Sequence, residues 1–258
     1  MKTAICTVLC LLNLFARATA AESNTDVRQL TPADLQEVTS FFALLDSGKS
    51  MLSDLRDETN SPLRNKIISY YQTSTNQLSL EHQFVVATCM LAEVKEFSAA
   101  ARITEAYISK NPTNGRGWVL VGSAALTVSN TPRCIEAYEK AIELGQTNVV
   151  AMLCAVAFTT GQNDVIKKHL PQLLAVLEDK KSERNDRQDA LNVIVVYAMR
   201  INDEELFLKA VRGLDMRLVR DKKDLLTNLD KACRYFESQR TEEFCVRIKN
   251  ALKTNLGP

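Results

Sequence analysis

Glycine, proline and histidine are scarce in this chain, and a framework of paired cysteines is missing. Eight Gly and six Pro are spread over 258 residues. That excludes collagen-like, Pro-rich and low-complexity classes, and with long Ala/Leu/Val/Glu/Lys stretches it points to an all-α protein. The two histidines, His82 and His169, have no Cys, Asp or Glu partner at metal-ligand spacing, so no metal site and no cofactor is expected. The formal charge is +1, which gives no support for binding nucleic acid or another polyanion. No Asn-x-Ser/Thr acceptor survives the rule that excludes Pro at x, which leans towards a bacterial envelope rather than a eukaryotic secretory route.

What is present begins with a leader. Lys2, the apolar run Ile5 to Phe15, and the small-x-small site Ala18-Thr19-Ala20 have the layout of a secretory signal peptide over residues 1–20. The run is about half the length of a membrane-spanning helix, so no membrane span is expected. The mature chain should be exported, to a periplasm or to the outside. About 238 residues then remain, enough for one large domain or an extended repeat array. Five cysteines stay with it. Cys89, Cys134 and Cys154 lie in apolar helical stretches and read as small buried side chains. Cys233 and Cys245 fall at similar distances from the turn between two predicted helices, where a hairpin disulfide could form in an oxidising compartment.

Helix signals run the length of the chain. Thr31-Pro32-Ala33-Asp34 combines a capping hydroxyl, Pro at the first helical position and an acid in the first turn. Ser61-Pro62 opens a second helix through Tyr71, and a polar linker follows at Thr73–Gln77. Helix pairs are then expected at Leu80–Val94 with Phe97–Lys110, at Arg116–Val128 with Pro132–Leu144, and at Val149–Thr160 with Asp164–Asp179. After a charged connector at Lys180–Gln188, Ala190–Arg200 pairs with Asp203–Leu214, and Lys222–Phe236 with Glu242–Lys253. The β-branched runs Val149–Phe158 and Asn192–Tyr197 could be buried strands by periodicity alone. Their phase assigns them to helices.

That phase comes from two adjacent windows of 34 residues, Glu81–Asn114 and Gly115–Asn148. Each has an aromatic at its fourth position, Phe84 and Trp118, a small residue at its twentieth, Ala100 and Cys134, and a closing Thr-Asn. A period of this length signifies a helical solenoid. Gly115–Asn148 resembles a tetratricopeptide repeat through Trp118, Gly122, Cys134, Tyr138 and Ala141. Glu81–Asn114 is a weaker copy, carried by Phe84, Ala100 and Pro112, with Tyr107 where the family has a small residue. In this reading Trp118 and Tyr138 fill the spaces between closely packed helices, and the bulk of Tyr107 widens a crossing.

The resemblance implies an all-α solenoid of about four to five helix pairs. Residues 21–78 would supply N-terminal capping helices, 79–182 the tetratricopeptide-like repeats, and 183–258 further helical repeats or a cap. It also implies a concave groove lined by the first helix of each repeat: His82, Val85, Cys89 and Ala92, then Arg116, Val119, Ser123 and Leu126. The Lys and Asn with which one branch of the family clamps a peptide's terminal carboxylate are absent there. The groove suits an apolar or helical segment of another protein, unless the chain's own N-terminal helices fill it. The expected role is a non-catalytic scaffold or adaptor, with a self-associating homo-oligomer or an unfamiliar enzyme as alternatives. Ala43–Ser50 has the outline of a phosphate loop, but a helix leads into it where that chemistry needs a strand, and Ser47-Gly48 reads as a helix-ending turn.

Overall fold

A computed structural model describes residues 29–47, 55, 58–74, 78–93, 96–179, 182, 184–201, 203–212 and 250. Residues 1–20, Gly48, Cys233 and Cys245 lie outside them, as do the helices expected at Lys222–Phe236 and Glu242–Lys253 apart from Asn250. Among the described residues there are ten α-helices, two short 3₁₀ turns and no strand. The helices are α1 (Pro32–Asp46), α2 (Ser61–Ser74), α3 (Leu80–Ala92), α4 (Phe97–Lys110), α5 (Gly115–Thr127), α6 (Thr131–Glu143), α7 (Val150–Thr159), α8 (Asn163–Glu178), α9 (Arg184–Ile201) and α10 (Glu204–Arg212). They fall in two compact units that divide between Gln146 and Thr147.

In the first unit, each helix from α1 to α6 packs against the next, and α3 also meets α5. The starts follow local chemistry. Thr31 and Asp34 form a reciprocal capping box on α1, with Pro at the head of the helix. Ser79 Oγ accepts from the His82 amide at 3.1 Å on α3, and Asn114 Oδ1 from the Gly117 amide at 3.0 Å on α5. Gly145, at φ +87°, follows α6 in the left-handed conformation that glycine adopts without steric cost. One buried cluster joins Val38, Phe41 and Phe42 of α1, Ile67 and Ile68 of α2, Val85 to Ala87, Cys89 and Met90 of α3, and Ala99, Ala100 and Ile103 of α4.

The second unit contains α7 to α10. α9 packs against α7, α8 and α10. Both runs rich in β-branched residues are helical, α7 and the middle of α9. Each buries side chains on most of its circumference, including Val150, Leu153, Cys154, Val156, Leu191, Ile194, Val195 and Ala198. A helix enclosed on several sides needs a near-continuous apolar sequence. The charged connector expected at Lys180–Gln188 is shorter than that, because α9 begins at Arg184. Arg187 is buried there and donates Nε to the Leu177 carbonyl at 3.0 Å, near the end of α8.

Candidate functional site

The eight candidate groove positions lie on α3 and α5. α5 and α6 approach closely at Gly122. Gly122 is buried, and a Cβ there would collide with Cδ1 and Cε1 of the Tyr138 ring. Tyr138 is itself fully buried. Its hydroxyl shares a hydrogen bond of 3.2 Å with Ser123 Oγ, which donates to the Val119 carbonyl at 3.0 Å. Burial pushes the Tyr138 phenol above its ordinary value, so it stays neutral at any physiological pH. Gly117 plays a similar part towards α4: a Cβ there would lie 2.8 Å from Ile108 Cδ1.

Trp118, expected to fill a space between helices, is not fully buried. It is half-buried and packs against Ile108, Val121 and Ala137. Its indole N–H donates to the Pro112 carbonyl at 2.8 Å, and the Arg133 guanidinium lies 5.1 Å from the ring centroid. Arg133 in turn makes a two-pronged contact with Glu105, both distances 2.7 Å, and reaches Glu136 at 2.9 Å. Tyr107, too large for the family pattern, stacks on Phe84 with ring centroids 4.0 Å apart and accepts from Asn114 Nδ2 at 2.9 Å.

The eight groove positions do not form one open surface. Val85 and Cys89 are 2% and 0% exposed and belong to the cluster shared with α1 and α2. His82 is half-buried beneath α1: its ring stacks on Phe42 at 4.3 Å, and Nε2 lies 2.9 Å from Asp46 Oδ1. Ala92 is exposed at the end of α3. On α5 the picture differs. Arg116 is exposed, and Val119, Ser123 and Leu126 are half-buried, while Val121, Ala124 and Ala125 on the other side are buried.

Sequence reasoning missed a polar cluster that ties α2 to the end of α3. Arg64, buried, donates Nε to Glu93 Oε1 at 2.6 Å and a terminal nitrogen to the Leu55 carbonyl at 2.6 Å. Ser61 Oγ and Asn65 Nδ2 donate to the other carboxylate oxygen at 3.0 and 3.1 Å. Burial alone would raise the Glu93 carboxyl; the hydrogen bonds from Arg64, Ser61 and Asn65 outweigh it and hold the group below the usual carboxylate range. These partners are about 30 residues apart, so no local spacing in the sequence announces them.

The remaining chemistry-bearing side chains are structural in setting. Cys89, Cys134 and Cys154 are buried free thiols, as their apolar surroundings in the sequence suggest. Burial pushes each up to about 12, which leaves them protonated and unreactive. His169 is buried and bonds Gln172 at 2.5 Å through Nδ1. Among the described residues no group of three or more His, Cys, Asp or Glu side chains could hold a metal ion. No helix among the described residues is long and apolar enough to cross a membrane. Comparisons with protein-family models, curated proteins and solved structures find no match.

Proposed function

We propose that the chain is an exported, non-catalytic scaffold of tetratricopeptide-like repeats that recruits an apolar or helical segment of another protein along α5. The observation that carries this reading is the two-sided character of that helix. Val119, Ser123 and Leu126 follow one another at intervals of four and three residues and remain partly open, while the opposite side is sealed in the core. Partner helices are read at that spacing in helix-in-groove recognition. The repeat assignment is supported by the contact of Gly122 with Tyr138, which needs a residue without Cβ at the eighth position of the window. Export rests on the leader-like residues 1–20.

Val119→Lys with Leu126→Lys tests the reading. The substitutions place two charges on the partly open side of α5 and leave its buried residues unaltered. Partners that co-purify with the tagged chain from its native compartment should be lost, with helicity unchanged by circular dichroism. Retention of those partners at the unaltered level would place the binding surface elsewhere.

A further inference from the structure

The chain contains a single Asn-Gly pair, Asn114-Gly115, at the junction of the two windows. Such a pair can rearrange without an enzyme. The glycine nitrogen attacks Cγ, the carboxamide carbon of the asparagine. The Cγ–Nδ2 bond breaks, ammonia leaves and a cyclic succinimide remains. Water then opens the ring at either carbonyl. One opening gives aspartate; the other gives isoaspartate, in which the main chain runs through Cγ. Glycine favours the reaction because it has no Cβ to obstruct the ring and lets the backbone turn.

The fold opposes this chemistry. Ring closure needs Gly115 N and Asn114 Cβ on the same side of the Cα–C bond, and at ψ +97° they lie on nearly opposite sides. The carboxamide is held at both of its polar atoms: Oδ1 accepts from the Gly117 amide at 3.0 Å, and Nδ2 donates to the Tyr107 hydroxyl at 2.9 Å. Tyr107 is itself buried and stacked on Phe84. Gly115 is buried too, and a Cβ there would lie 2.9 Å from Gln146 Cγ, so the peptide that must rotate is packed against the residues that follow α6.

We propose that Asn114-Gly115 is a self-modification site that the turn between α4 and α5 keeps closed, and that opening of this turn commits it to conversion. The two products differ in consequence. Aspartate keeps a side-chain acceptor at the cap of α5. Isoaspartate inserts a methylene into the main chain and moves its carboxylate away from the Gly117 amide, so α5 loses its cap. Loss of recruitment through this route rests on the α5 reading above; the modification does not.

The test incubates the folded full chain, the same chain in guanidinium chloride and a synthetic peptide of residues 109–119 at one mildly alkaline pH. Mass spectrometry of proteolytic fragments follows the loss of ammonia and gain of water at the site. The folded chain should convert at least ~10-fold more slowly than the peptide, because conversion waits on opening, and the denatured chain should match the peptide. Tyr107→Phe keeps the stacked ring and removes the hydroxyl, and should speed conversion of the folded chain at least ~3-fold. A second reading needs no variant: in sub-denaturing guanidinium chloride, conversion of the unaltered chain should rise in step with hydrogen exchange of the Gly117 amide. Equal rates in the folded chain and the peptide would overturn the proposal. So would conversion that is unchanged by Tyr107→Phe, or that fails to follow exchange of the Gly117 amide.

Discussion

The contacting helices α3–α4 and α5–α6 have different interiors. In α5–α6 the large residue stands at the twenty-fourth position of the window, Tyr138, and the eighth position is empty of a side chain, Gly122. In α3–α4 those positions hold Thr104 and Thr88, and the aromatic bulk moves three residues along to Tyr107, which stacks on Phe84 at 4.0 Å. The second-helix ring thus comes from a different turn in each. The first windows of side chains also differ in neighbours. α3 is enclosed by α1 and α2, so its outward positions join a core. α5 keeps its corresponding positions partly open.

The contrast can be broken most forcefully at the ring. Tyr138→Thr gives α5–α6 the small residue that α3–α4 carries, without moving an aromatic to Ala141. It should cost about 3–5 kcal/mol, the range for removing a fully buried aromatic. Gly122→Val attacks the same contact from the other helix and should cost about 1–3 kcal/mol by overpacking. Denaturant melts of the two variants decide this, and Thr88→Val in α3–α4 is the control that should cost less than Gly122→Val. If Gly122→Val and Thr88→Val were equivalent, the close approach at Gly122 would not govern the pair.

A smaller effect separates the two regions by pH. The Glu93 carboxyl is held below its unfolded value, so its contribution is complete above the ordinary carboxylate range and fades as pH falls through the lowered value. The loss should be confined to the acid limb of the stability profile. Glu93→Gln should flatten that limb, while a charge-removing change at Arg133, whose pairs are on the surface, should leave its shape unchanged. Thermal melts from pH 7 to pH 3 read the difference. An acid limb of equal slope in the Glu93→Gln chain would show that the buried cluster is not what acid disrupts.

Much of the architecture is legible in local signals. Thr31, Pro32 and Asp34 announce α1 through cap chemistry, and α4 spans Phe97–Lys110 as expected. The phase of two windows correctly makes helices of apolar runs that periodicity leaves open. The start of α9 is hidden in the sequence because Arg187, within the charged connector, is buried against a carbonyl of α8. Such a partner is set by tertiary packing. The same cause limits the site. Spacing alone identifies which residues share a side of α3 or α5, whereas the burial of Val85 and Cys89 depends on where α1 and α2 come to rest. Trp118 shows the reverse: a residue expected inside is half-buried, with its indole N–H on the Pro112 carbonyl and the Arg133 guanidinium over its ring.

The central claim, that the partly open side of α5 is the surface that meets another protein, is tested most directly by hydrogen-exchange footprinting of the full chain with and without its co-purified partner. The account predicts slowed exchange concentrated on residues 116–126, with the rest of the first unit changing less. Protection confined to residues 147–212, with α5 unaffected, would contradict it.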